Sequence, residues 1–450
     1  MSVRPEDTRY PAGKAFAWGL QHVLTMYGGI IAPPLIIGAA AGLNAAQLGV
    51  LVTAALFVSG CATLLQALGV PGFGSRLPLV QGVSFAGVAT MVTLVTGGGG
   101  LPVVFGAVIA SSLIGLLIAP LFAHIIRFFP PVVTGTVITA IGLSLMPVAA
   151  RWAMGGNPQS AGWGSTNNIG LAAVTLVMVL LLNRVGNAAV KRLAVLLAMA
   201  AGTGIALFTG QADFSRVAQG DWLALPGILS FGMPVFDLAA IVSMTLIVLV
   251  LLTETTAGLI AIGEIVGTDV DGKRIARGLR ADMLTSALAP LFNSFPQSAF
   301  AQNIGLVAMT GVKSRFVVAA GGVILVLLGF FPLLGRVVAA IPLPVLGGAG
   351  VVLFGTVAAS GIRTLAKVDY KDNMNLVIVA TSIAFGMIPI VMPSFYDQFP
   401  GWVRTLFHSG ISAACLVSVT LNLLFNRVSE DVEYRRGRSL LRPARDRARN

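Results

Sequence analysis

Charge is what this chain has least of. Of its 450 residues only 10% are Asp, Glu, Lys or Arg, whereas 56% are hydrophobic and the mean hydropathy is +0.89. That scarcity excludes an ordinary water-soluble domain and defines a polytopic membrane protein. Cysteine and histidine are almost missing, with 2 and 3 copies. Cys61 and Cys415 both fall inside apolar runs, which reads as small core residues rather than a disulfide or metal pair. There is no Walker A loop, no GxSxG, no HExxH and no CxxC pair, so neither ATP hydrolysis nor enzyme chemistry is expected, and no cofactor. The four glycines at 97–100 lack a following Lys-Ser/Thr and read as a loop, not a phosphate cradle. Residues 1–14 are polar and the first apolar run is too long for an h-region, so no cleavable signal peptide is expected.

What the chain does have is apolar runs of spanning length. They lie near 15–40, 46–69, 79–97, 101–126, 131–150, 168–183, 192–210, 236–263, 278–293, 298–311, 316–334, 337–360, 373–393 and 402–426, fourteen in all. At about 1.5 Å per residue the third and tenth are too short to cross a ~30 Å hydrocarbon core as simple helices. The basic residues test this count. With both tails on the cytoplasmic side, 25 of the 29 Lys and Arg fall in cytoplasmic segments; only Arg151, Arg216, Arg336 and Arg404 fall outside. That asymmetry is what the positive-inside rule requires. It also accounts for the net charge of +12, much of it in the eight arginines of the C-terminal tail. That tail is expected to face anionic lipid rather than nucleic acid.

A faint internal repeat points to an inverted architecture. Pro130-Pro131-Val-Val-Thr-Gly opens span five, and Pro342-Leu-Pro344-Val-Leu-Gly opens span twelve. Gln81-Gly-Val-Ser84-Phe85-Ala86 opens span three, and Phe300-Ala-Gln302-Asn303 opens span ten. Each pair is seven spans apart. Seven is odd, so the second copy lies upside down, the arrangement of secondary transporters whose midplane site is formed by interrupted helices. The expected fold class is therefore all-α with fourteen transmembrane segments, spans three and ten being interrupted and open to short extended stretches.

Ionisable residues inside spans are few. Glu254, in LVLLTETTAGLIAIG, lies deep in span eight, where a carboxyl must pair, become protonated or face water. It is either a proton-coupling and ligand-binding group or a structural carboxyl bonded to a neighbouring hydroxyl or amide. Asp282 is either a second member of that network or a helix-start charge paired with Arg277 or Arg280. His22, beside Gln21 in span one, reads as a structural hydrogen-bonder more than a proton carrier; His124 and His408 sit near span ends. Gln302 and Asn303 are tolerable only if they line a cavity or bond to neighbouring helices. In span three, Gln81, Ser84 and Phe85 are candidates, Phe85 as a ring-stacking or a plain packing aromatic.

The run Gln302-Asn303-Ile304-Gly305-Leu-Val-Ala-Met-Thr310-Gly311 resembles the signature of the nucleobase–ascorbate transporter family, also called nucleobase–cation symporter-2. The Gln-His of span one, Gln-Gly-Val-Ser-Phe of span three, Glu-Thr-Thr of span eight and Ala-Asp of span nine are similar to the family in the same order, over 15–426. The resemblance implies two inverted sets of seven spans. A core domain (15–126 and 236–334) would move against a gate domain (127–235 and 335–426), between an N-tail (1–14) and a basic C-tail (427–450), usually in a homodimer. It implies that Glu254 and Gln302 bind the base with main-chain groups of span three around Ser84 and Ala86. Asp282, His22, Asn303 and Gln81 would support the site or the coupling. The implied activity is proton-coupled symport, with Na+ as the alternative ion, across the inner (plasma) membrane. Gln302 and the ending Thr-Gly-Val-x-Ser-Arg resemble the xanthine/urate branch. Ala257, Gly258 and Ile304 depart from common patterns, which leaves the base open between xanthine, urate and uracil.

Overall fold

The computed structural model describes residues 4–122 and 130–427, apart from 157, 161, 188–189, 192, 216, 218–221, 372, 401–402, 405–406 and 408–409. His124, His408 and the basic C-tail lie outside the described residues, as does the side chain of Gln302. Eight helices among the described residues are long and apolar enough to cross a membrane, or nine if a pair bent by 81° counts as one span.

Local sequence sets where most helices begin. α1 (Ala12–Ala40) leads through a short turn to α2 (Ala45–Leu68). There Asn44 and Gln47 close a reciprocal capping box, each side chain accepting the other's backbone N–H at 3.0 Å. Span three is not one helix. It opens as a strand, β1 (Gln81–Val83), and continues as the short α3 (Val88–Leu94). The glycines expected to form a loop make a kink between two helices, non-helical at Gly98. Gly98 (φ 93°) and Gly100 (φ 62°) take backbone angles open to glycine, and the chain runs on as α4 (Gly100–Ile118). Then come α5 (Pro131–Ser144), α6 (Met146–Ala153), α7 (Thr166–Val185) and α8 (Ala194–Phe208).

The second half repeats the scheme. α9 (Leu238–Val266) is capped by Asp237 and stopped by Gly267 in the left-handed region. α10 (Gly272–Leu288) starts six residues before the expected span nine, because Asp271 accepts from Arg274 N at 2.8 Å and carries the helix back into the basic segment. Span ten again opens as a strand, β2 (Gln297–Ala299), followed by the ten-residue α11 (Ala301–Thr310). α12 (Arg315–Gly329) and α13 (Pro332–Ala339) form the bent pair. Residue 337, the expected start of span twelve, falls inside α13. The long helix α14 (Leu343–Leu365) begins after Pro342 instead, since proline favours a helix's first turn. α15 (Asn373–Val391) and α16 (Gly410–Asn422) complete the chain.

Packing pairs the two halves. β1 runs antiparallel to β2, and α2 lies on α12 as α4 lies on α10. α5, opened by Pro131, packs along α14, opened after Pro342. Two bundles result: α1–α4 with α9–α12, and α5–α8 with α14–α16. They meet where α1 touches α8 and where α16 touches α3 and α9. Segments assigned to one side by charge also meet. Glu6 pairs with Arg274 at 3.0 Å and Asp7 with Arg315 at 2.7 Å, all expected on the cytoplasmic side. Arg336 Nε donates to Val217 O at 2.9 Å, both expected on the outer side.

With lipid as apolar as leucine, helices associate by close approach at small residues. A Cβ on Gly60 of α2 would stand 2.6 Å from Val326 N and 2.7 Å from Gly322 O of α12, both backbone atoms that cannot yield. Gly60→Ala should therefore lower the thermal midpoint of the detergent-solubilised protein, with an overpacking cost of about 1–3 kcal/mol. Gly204→Ala in α8, where nothing lies within 4 Å of a new Cβ, should leave the midpoint in place.

Candidate functional site

Two broken spans leave backbone N–H and C=O groups that hydrocarbon cannot satisfy. Here each break satisfies the other. Gln81 faces Ala299, Gly82 faces Ser298 and Val83 faces Gln297. Just beyond the strands, Ser84 N donates to Pro296 O at 2.8 Å and Phe300 N donates to Val80 O at 3.1 Å. The antiparallel register sends α3 and α11 out from opposite ends of the pair, and both lie against α1 and α9. Phe300 (5% exposed) fills the space between the chains, its ring lying where a Cβ on Gly29 of α1 or Gly82 of β1 would collide with it.

Side chains tie this pair to the surrounding helices. Asn303 accepts from Val80 N through Oδ1 at 2.9 Å, which turns its Nδ2 to donate to His22 Nδ1 at 2.9 Å. The imidazole accepting on Nδ1 carries its proton on Nε2. β1, α11 and α1 are thus linked, and His22 is the buried hydrogen-bonder its sequence setting suggested. Gln81 N donates to Thr63 Oγ1 of α2 at 3.0 Å, while its own side-chain amide is fully buried with no partner among the described residues. Ser84 Oγ accepts from Ala86 N at 3.1 Å and shapes the turn into α3.

Asp282 is not a helix-start charge. The alternative pairing with Arg277 or Arg280 fails because its carboxylate, in the third turn of α10, points inward and only 1% is exposed. Oδ1 accepts from Gln66 Nε2 at 3.0 Å and Oδ2 from Thr255 Oγ1 at 2.6 Å.

Glu254 is placed by its helix. Residues four and seven apart share a helix face. A Cβ on Gly258, one turn on, would stand 3.4 Å from Ala299 Cβ and Ile304 Cδ1, and a Cβ on Gly87 at the start of α3 would stand 3.7 Å from Ile247, two turns back. Glu254 therefore sits on the face of α9 turned toward the strand pair and both short helices, not toward lipid. It is half-buried and makes no hydrogen bond to any described residue. Gln302 is the second residue of α11. Phe85, half-buried, meets Phe354 of α14 edge-on with ring centres 6.0 Å apart, and Phe354 lies 6.3 Å from Trp152 of α6. Phe85 thus stands at the seam between the two bundles. Where α1 faces α14 along that seam, a cavity of about 10 Å³ lined by Ile31, Trp152, Met199 and Leu346 has room for a single water at most.

Sequence reasoning missed Gln66, Gln297 and the particular role of Thr255. Gln297 is fully buried: Ser59 Oγ donates to its Oε1 at 3.0 Å and its Nε2 donates to Phe295 O at 2.8 Å. Lone amides inside apolar runs are signals in their own right, and that criterion, applied to every span, would have marked both glutamines.

Paired broken spans within a bundle of long apolar helices, with a carboxyl beside them that has no partner among the described residues, are the architecture of a polytopic membrane transporter. The fold matches the transmembrane domain of a cyanobacterial bicarbonate transporter, BicA, with a TM-score of 0.61 at 14% identity over 93% of this chain and 99% of that one. A solved structure of SLC26A9 matches with a TM-score of 0.61 at 13% identity, over 92% of this chain and 66% of that one. The chain belongs to the permease family, whose model matches residues 13–395. It is 41% identical to the uric acid transporter UacT of Escherichia coli over 92% of this chain and 86% of that protein. It is also 41% identical to the uric acid permease PucK of Bacillus subtilis, over 90% and 94%, and 39% identical to the xanthine permease of the same organism, over 93% and 95%. The protein is a permease, not an enzyme.

Asn303→Leu removes both ends of the link between Val80 N–H and His22. Each orphaned buried group costs about 1–3 kcal/mol, so the thermal midpoint in detergent should fall clearly. An unchanged midpoint would show that the link does not hold the strand pair.

Proposed function

We propose that this permease is a proton-coupled symporter of a purine base, xanthine or urate, working by alternating access in the inner (plasma) membrane. The names of its relatives and the complete signature from Gln302 to Gly311 support the substrate class. One observation carries the mechanism. Glu254 is a carboxyl on the face of α9 that looks at the strand pair, with no hydrogen-bond partner among the described residues.

A purine base offers ring N–H donors and C=O acceptors along one edge. An ionised carboxylate only accepts; a protonated carboxyl also donates. Glu254 therefore holds one edge of the base and changes its pattern when it takes or releases a proton, which is how proton and base movement are coupled. Gln302, with one acceptor and two donors, reads another edge. Main-chain groups at Ser84 and Ala86 complete the cradle and Phe85 packs on the ring. Asp282, His22, Asn303 and Gln81 hold the cradle's frame. Na+ is the alternative coupling ion.

The bundle of α1–α4 with α9–α12 is the moving core and the other bundle the gate. The fourteen spans form two inverted sets of seven, a reading supported by the matched pairings of α2 with α12 and α4 with α10. Both termini are cytoplasmic, with the basic tail against anionic lipid, and the unit is a homodimer. Within the family, uracil or another base is the second reading, because Ala257, Gly258 and Ile304 depart from common patterns. Anion transport is favoured by the names of the structural neighbours and opposed by an acid, not a base, at 254.

Uptake of labelled xanthine and urate into cells should be competed by purine bases and collapse with a protonophore. Glu254→Gln should abolish uphill accumulation; accumulation at the unmodified level would remove its coupling role. Gln302→Glu should change the order in which a panel of bases competes, and an unchanged order would take Gln302 out of base readout.

A further inference from the structure

Thr255 stands next to Glu254 and uses its hydroxyl differently from its neighbours. Thr253 and Thr256 close back on their own helix, donating to Leu249 O and Leu252 O at 2.8 and 2.7 Å, as hydroxyls inside helices commonly do. Thr255 Oγ1 leaves the helix on both counts. It donates to Asp282 Oδ2 at 2.6 Å and accepts from Ala299 N of β2 at 3.4 Å. Thr255 and Asp282 are each 1% exposed, and Gln66, which holds the other carboxylate oxygen, is fully buried. Gln66 cannot turn freely, because its Oε1 accepts from Ser75 N at 2.8 Å.

A hydroxyl has one proton to give. While Asp282 is a carboxylate, that proton goes to Oδ2 and a lone pair is left for the N–H of Ala299. A proton taken up from water at Oδ2 makes Asp282 a donor aimed at Thr255. The threonine must then turn its own proton elsewhere, the carbonyl one turn back on α9 being the ordinary acceptor, and accept from Asp282 instead. Its second lone pair keeps Ala299 N–H, but that bond weakens, because a hydroxyl donating to a carboxylate is a stronger acceptor than one that donates to a neutral carbonyl and shares its oxygen between two donors. Ala299 is paired with Gln81 in β1 and leads into Phe300 and α11, so the change reaches the strand pair directly.

We propose that Thr255 is a positioning residue that passes the charge state of Asp282 to β2, fixing the strand pair against the Glu254 face of α9 when Asp282 is ionised and loosening it when Asp282 is protonated. The titratable groups on elements packed against α10 are Glu254 and Glu264 of α9 and Cys61 of α2, besides Lys273, Arg274, Arg277 and Arg280 on α10 itself. Both hydrogen-bond partners of Asp282 are neutral, so its own proton is what changes the pattern. The inference rests on the proton-coupled reading above.

The test compares Thr255→Val, which keeps the shape and removes the hydroxyl, with Thr255→Ser, which keeps the hydroxyl. In proteoliposomes, uphill uptake of labelled xanthine and urate is followed against pH, alongside exchange between equal pools of base, which needs no net proton movement. Losing one charge-assisted hydrogen bond should cut uphill uptake by about tenfold and move the midpoint of its pH profile upward by about one unit. Exchange should persist and Thr255→Ser should restore the profile. If the valine variant does not fold, Thr255→Ala carries the same expectation. An unmoved pH midpoint, or a loss of uptake and exchange in equal measure, overturns the inference alone. Unmodified protein that transports neither base overturns the function it rests on as well.

Discussion

The antiparallel pairing of β1 with β2 is the constraint from which the rest follows. Two spans that stop being helices in a membrane expose main-chain groups worth several kcal/mol each when left unpaired. Neither break is tolerable alone. Joined through Gln81–Ala299, Gly82–Ser298 and Val83–Gln297, each supplies what the other lacks. The pairing lays residues 81–83 against residues 297–299, so polar side chains around them converge although more than 200 residues separate them in the chain.

Around that pair the protein distributes its polar side chains unequally. Asn303, His22, Gln66, Gln297, Thr255 and Asp282 have their hydrogen bonds met by protein, as buried groups must. Glu254, the next residue to Thr255, has no such partner among the described residues. A largely satisfied frame around an acid and the Gln81 amide, neither of which has a partner among the described residues, is the division expected of a site that holds a ligand rigidly while leaving polar groups free to meet it. One end of this bundle is closed the same way, by Glu6 on Arg274 of α10 and Asp7 on Arg315 of α12, which ties the N-terminal segment to two of its helices.

Much of this was readable before any coordinates. The lengths of the third and tenth apolar runs against a fixed hydrocarbon thickness marked them as broken, and they are broken at Gln81–Val83 and Gln297–Ala299. Glu254 and Asp282 stood out because an acid in an apolar run needs a reason. The starts of α10 and α14 were misplaced for local reasons, a capping aspartate within a basic segment and a short separate helix between two prolines. The partners of Asp282 were not readable. Arg277 and Arg280 are near it in sequence, whereas Gln66 is 216 residues away and faces it only because α2 lies against α10.

The sequence by itself determined the medium and the broken pair, because these depend on composition and on length along the chain. It also determined the family, through residues at fixed spacing. Only the tertiary structure decided which polar groups satisfy one another, because that depends on which helix faces cross. A hydrogen bond between residues far apart in the chain leaves no trace in either one's neighbourhood. The same packing turned Glu254 toward the strand pair and left its carboxyl without a partner among the described residues.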